Sequence, residues 1–139
     1  MSLVSVTLFL GLVLKVSAWN FTDPKDVEDY VLYIAPRENI SVNLFLGIVR
    51  YESNFILTAK NPVGTASGVM QFLDSTFKGF CIDKYHMTDT MENKNHVAIQ
   101  MNCAAEMLRE RNGYKHWCAS YENWIKSIPL EEKKEYNCA

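Results

Sequence analysis

The sequence predicts a mainly α-helical domain, and three observations carry that prediction. Apolar residues recur at helical spacing in separate stretches, and capping residues or prolines bound those stretches. The long segment without helical period, Ile56 to Gln71, holds the turn formers Asn61-Pro62, Gly64 and Gly68. A chain of 139 residues with 48% hydrophobic and 22% charged side chains has ordinary globular composition and room for one domain.

Along the chain, residues 1–18 read as a cleavable signal peptide. An apolar run from Leu3 to Leu14 is followed by Lys15, then by the small-residue site Val16-Ser17-Ala18 before Trp19. The run is too short to span a bilayer comfortably, so an uncleaved anchor is the weaker alternative. The expectation is a secreted, extracellular domain over residues 19–139, with no stable membrane anchor once the leader is removed. Asp23-Pro24 supplies an N-cap and an N1 proline to a first helix striped by Val27, Tyr30, Val31 and Ile34 and stopped by Pro36. Ser41 caps a second helix carrying Leu44, Phe45, Ile48 and Val49.

After the irregular stretch, which reads as a loop or short hairpin, helix returns near Asp74 as the expected cap. A long helix is predicted from about Asn93 to Arg111, with Val97, Met101, Ala104, Ala105 and Leu108 inward and Asn112-Gly113 as its stop. Its outer residues Glu106, Arg109, Glu110 and Arg111 read as solvated surface. A last helix is expected from about His116 to Ile125.

Four cysteines allow three pairings, and the preferred one joins Cys81 to Cys103 and Cys118 to Cys138, the second tying the tail to the last helical region. A zinc site is the rival, but no pair has C-x-x-C spacing and His86, His96 and His116 are scattered, so neither metal nor cofactor is expected. Asn20-Phe21-Thr22 and Asn39-Ile40-Ser41 are glycosylation sequons, consistent with export. Without Lys15 the domain carries 13 basic and 16 acidic side chains, 13 − 16 = −3. That balance offers no nucleic-acid footprint and little charge-driven adsorption to an anionic wall. A monomer is expected.

Glu52 is the best candidate for chemistry. It continues the second helix's apolar stripe at i+8 from Leu44 and i+7 from Phe45, which aims its carboxyl at the core side. It also lies near the helix C-terminus, where carbonyl dipoles oppose negative charge, so burial and dipole both push its pKa upward. A carboxyl kept protonated near neutral pH suits a general acid. The alternative is a helix-end glutamate that pairs with a base or points to water.

Tyr51-Glu52-Ser53-Asn54-Phe55, then Gly64, then Ser67-Gly68-Val69-Met70-Gln71-Phe72 and Ser75-Thr76-Phe77, resemble the E-S-x-F... G-x-x-G-L-M-Q-F-x-x-x-T-[FW] signature of lytic transglycosylases and goose-type lysozymes. The resemblance is densest over residues 47 to 77. It implies a lysozyme-like fold, with the irregular segment beside the active-site cleft. It also implies cleavage of the β-1,4 bond between N-acetylmuramic acid and N-acetylglucosamine in peptidoglycan, with Glu52 catalytic. Gly68, Val69, Met70 and Gln71 are then the wall of the sugar groove, where a glycine allows close approach and Gln71 offers donor and acceptor. Ser53 resembles the family serine beside the acid, which implies a bond either to it or to the local backbone; the alternative is a simple cap of the helix end. His116-Trp117-Cys118-Ala119-Ser120-Tyr121 is similar to the family's aromatic helix ending in Ala-x-Tyr-Asn, which implies that Tyr121 orients Glu52 or touches the sugar. Tyr121 as a simple core aromatic is the alternative. Glu122 replaces the asparagine and Ile56-Leu57 the usual Asn-Pro, and the interval to Gln71 is one residue longer than typical.

No Asp or Glu lies between Glu52 and Asp74. A two-carboxylate glycosidase needs its partner at about 5 Å, or at roughly 6.5 to 9.5 Å if inverting, so the pattern favours a single-glutamate mechanism. Within one fold, two readings remain: a peptidoglycan-cleaving enzyme, or a non-catalytic lysozyme-like glycan-binding protein.

Overall fold

The computed structural model describes residues 19–139; the expected leader lies outside the described residues. Helix α1 (Pro24–Arg37) opens with a reciprocal capping box: Asp26 N donates to Asp23 Oδ1 at 3.3 Å and Asp23 N to Asp26 Oδ2 at 3.0 Å. Its stripe of Val27, Tyr30, Val31 and Ile34 is buried. Pro36 does not stop the helix but lies inside its last turn. The end is a Schellman motif in which Asn39, at φ 56°, takes the left-handed position and Ile40 N donates to Ala35 O at 2.8 Å.

Helix α2 (Val42–Ser53) starts at Ser41, whose Oγ accepts from Leu44 N at 3.1 Å. Its apolar face is buried, and Gly47 sits on it where a side chain would force its neighbours to shift. A Cβ there would lie 2.6 Å from Ser127 Oγ and 3.3 Å from Trp124 O. α2 is thereby drawn against the segment that follows Tyr121.

The middle of the chain is less regular. Residues Lys60 to Phe72 form a short hairpin-like loop held by isolated bridges, Lys60 with Ser67 and Ser67 with Phe72. Helix α3 (Asp74–Thr76) continues as a π-helical stretch, Phe77–Lys84. Asp74 is not the cap. Leu73 holds that position, and the Asp74 carboxylate instead takes the Lys94 ammonium at 2.7 Å. Helix α4 (Val97–Arg109) begins after the expected start near Asn93, with the His96 ring as its cap and Ile99 N donating to His96 Nδ1 at 3.4 Å.

The outer face of α4 is more structured than a solvated surface. Arg109 bridges Glu38 at 3.1 Å and Glu106 at 2.9 Å, and Lys84 reaches Glu110 at 2.6 Å. The preferred disulfides are present: Cys81–Cys103 joins the π-helical stretch to α4, and Cys118–Cys138 fastens the tail.

The expected single helix from 116 to 125 is broken. A 3₁₀ segment, Gly113–Ser120, leads into helix α5 (Tyr121–Trp124) and a further 3₁₀ turn, Ile125–Ser127. The break falls at Trp117, with φ −112° and ψ 21°. Its carbonyl accepts from two side chains, Trp124 Nε1 at 2.8 Å and Ser120 Oγ at 3.1 Å. α1 packs on α2 and α4, and α2 on α5, around one continuous core. The fold is mainly α, as predicted, and among the described residues no helix is long and apolar enough to cross a membrane.

The C-terminus is strapped across this body through helix α6 (Leu130–Lys133). Glu132 accepts from Ser41 Oγ and Tyr136 OH, both at 2.7 Å, and from Asn43 Nδ2 at 3.3 Å. Burial works to raise the Glu132 pKa, but these three donors outweigh it and hold the carboxyl below its ordinary value of 4.5. A folded pKa below the unfolded one means that the strap's stability is present above about pH 4.5 and is lost as pH falls through the lower folded value. Denaturant midpoints measured from pH 7 downward should therefore fall less steeply on the acid side for Glu132→Gln than for the wild type. Parallel curves would contradict this assignment.

Candidate active site

Glu52 occupies the last turn of α2, half-buried as its place on the apolar stripe requires. Burial raises its pKa; the hydrogen bond from Ser120 Oγ to Glu52 Oε1, 2.9 Å, works the other way without cancelling it. Among the described residues no basic group pairs with this carboxyl. The neighbouring cation, Arg50, is exposed, with its guanidinium 5.7 Å from the centre of the Phe55 ring. The chain leaves α2 through two residues at positive φ, Asn54 (52°) and Phe55 (63°). For a bulky side chain such as Phe55 that conformation is strained by about 1–3 kcal/mol, and its burial against the core holds it there.

The hairpin is built on buried polar groups. Gly68 has φ +81°, and a Cβ there would stand 2.3 Å from Gln100 Nε2. Gln100, fully buried on α4, reaches under the hairpin. Its Oε1 accepts from Met70 N at 2.9 Å, and its Nε2 donates to Lys94 O at 2.7 Å and Ser67 O at 3.1 Å. Lys94, only 6% exposed, donates to Thr65 O as well as to Asp74, while Asp74 N donates to Thr65 Oγ1 at 3.0 Å. The hairpin's shape is thus dictated from α4 and from the segment preceding it.

The candidate residues sit differently from one another. Gly68 is buried against Gln100, and the side chains of Val69 and Met70 point into the core at 1% exposure, so any wall they make is a backbone wall. Gln71, at φ 52°, folds back so that Nε2 donates to Gly68 O at 2.8 Å and Ala59 O at 3.0 Å. Ser53 is buried and its hydroxyl returns to Val49 O at 3.3 Å, the local-backbone alternative. The Tyr121 hydroxyl donates to Tyr136 O at 3.2 Å, which commits it to the tail rather than to Glu52.

The partner of Glu52 is Ser120, which sequence reasoning passed over. An unbroken helix gave no reason to single it out; the 3₁₀ winding and the kink at Trp117 turn it toward α2. Trp117 also ties the acid to the hairpin. Its ring lies 6.3 Å from that of Phe72, next to Gln71, while its carbonyl accepts from Ser120. The carboxylate nearest in sequence after Glu52, Asp74, is neutralised by Lys94.

This arrangement desolvates a carboxyl whose hydrogen-bond partner, Ser120, is linked through Trp117 to the hairpin. The sequence model of the family described as Transglycosylase SLT domain matches residues 29–127, a span that takes in Glu52, the hairpin and Ser120. No curated protein and no solved structure matches the chain. With most of its length covered by that family's model, this chain belongs to the transglycosylase SLT domain family.

Proposed function

We propose that this protein is a secreted enzyme that cleaves the β-1,4 bond between N-acetylmuramic acid and N-acetylglucosamine in peptidoglycan, with Glu52 as its single catalytic carboxyl. One observation carries the reading: Glu52 is desolvated, unpaired with any cation among the described residues, and shifted toward its protonated form. A glycosidic oxygen is a poor leaving group until it receives a proton, and a neutral glutamate in a partly dry site supplies one.

In the proposed reaction the Glu52 proton passes to the bridging oxygen as the C1–O bond breaks. The substrate's own acetamido group or the pocket stabilises the oxocarbenium-like centre. The resulting Glu52 carboxylate then takes the proton of the attacking nucleophile, which restores the acid. If the nucleophile is the sugar's own 6-hydroxyl, the product is a 1,6-anhydro sugar; if it is water, a reducing end. Gly68 to Gln71 form the adjacent lip of the groove, with Gln71 Oε1 available to a hydroxyl or amide of the glycan. Residues 1–18 serve as the export signal, and the disulfides suit an extracellular site of action.

Mass spectrometry of digests of purified peptidoglycan tests this. Anhydro-muropeptides are the expected product of a lytic transglycosylase, and exclusively reducing-end products would make the protein a lysozyme. Glycan binding with no cleavage at any pH would overturn the enzymatic reading in favour of a non-catalytic binding protein.

A further inference from the structure

Ser120 Oγ stands 2.9 Å from Glu52 Oε1 and 3.1 Å from Trp117 O. A hydroxyl has one hydrogen and two lone pairs, so it cannot donate to both oxygens at once. The two short contacts are both satisfied when Glu52 carries the proton: the acid donates to Ser120 Oγ, and Ser120 donates to the Trp117 carbonyl. Once Glu52 is ionised, the same hydroxyl can swing its hydrogen to the carboxylate. The Trp117 carbonyl is not orphaned by that swing, because Trp124 Nε1 continues to donate to it at 2.8 Å.

We propose that Ser120 is a positioning residue that holds Glu52 in one place through both protonation states, accepting from the acid and donating to the carboxylate. This deepens the function proposed above and rests on it. The surrounding charges leave the role to Ser120. Arg50 on α2 is turned over Phe55, and the hairpin's Lys94 and Asp74 are paired with each other. Tyr121 on α5 bonds the tail, Glu122 beside it is exposed, and in the 3₁₀ segment Lys115 is exposed and His116 packs edge-on against Phe80 at 4.7 Å. Trp117 and Trp124 are both buried, so the carbonyl that receives the resting hydrogen is fixed.

The test compares wild type, Ser120→Ala and Ser120→Thr as full chains, by pH–rate profiles on purified peptidoglycan and by ¹³C NMR titration of the Glu52 carboxyl. Removing the hydroxyl should lower kcat roughly tenfold to a hundredfold with little change in KM. It should also move the Glu52 titration, and with it the alkaline limb of kcat, to higher pH, since the bond donated to the charged carboxylate is stronger than the one accepted from the neutral acid and is the larger loss. Threonine should restore both. A titration midpoint unmoved in Ser120→Ala, or a loss of activity that threonine does not rescue, would overturn the proposal. The NMR titration needs no turnover. A wild type without cleavage would therefore refute the enzymatic reading, while the Glu52 midpoint still decides whether Ser120 donates to the carboxylate more strongly than it accepts from the acid.

Discussion

Glu52→Gln should abolish peptidoglycan cleavage while leaving the fold intact, lowering turnover by about two to four orders of magnitude, the range of a lost general acid. Glutamine keeps the shape and can still accept from Ser120, but has no proton to give. The same substitution should not destabilise the protein at neutral pH. With the folded pKa raised above the ordinary 4.5, the unfolded carboxyl ionises first, so stability falls as pH rises from about 4.5 to the folded pKa. An uncharged amide escapes that cost. Relative to wild type, Glu52→Gln should therefore gain stability with rising pH, a thermal-denaturation result that can be read alongside the activity assay. Retention of substantial cleavage by Glu52→Gln would rule out the single-glutamate mechanism.

The second large effect should come from a residue with no chemical role. Gln100→Ala removes an amide that satisfies Met70 N, Lys94 O and Ser67 O inside the protein, and leaves a cavity under Gly68. Each orphaned buried group costs about 1–3 kcal/mol, so the total loss should be at least about 3 kcal/mol, near the top of the range for single substitutions. Denaturant unfolding measures it directly. Because the amide shapes the Gly68 to Gln71 turn, folded Gln100→Ala should also lose most of its activity on peptidoglycan. A destabilisation below about 1 kcal/mol would show that the hairpin holds its form without α4.

These expectations mark what the sequence discloses and what it hides. Asp23, Ser41 and the stripes of α1 and α2 announce themselves because capping and amphipathic burial are local rules, and Glu52 stands out because it breaks one of them. The cysteine pairing was one preferred choice among the three the sequence allows, and the structure has that pairing. Gln100 and Lys94 were not legible: polar side chains are ordinarily read as surface, and their burial follows from the irregular loop they support. The π-helical stretch from Phe77 and the kink at Trp117 escaped for a related reason. Neither follows the period of 3.6 on which sequence reading depends, and at the kink the Trp117 carbonyl meets the indole of Trp124, seven residues away. Ser120 could be found only after that bend was known, and so its neighbour Tyr121 drew the attention.

The most direct measurement is the titration of the Glu52 carboxyl itself in the wild-type protein, followed by ¹³C NMR with Glu52→Gln used to identify its resonance. A midpoint above the ordinary 4.5 is the predicted result, as desolvation outweighs the Ser120 bond. A midpoint at or below 4.5 would mean that the side chain is solvated or ion-paired in solution, and would contradict its assignment as the proton donor.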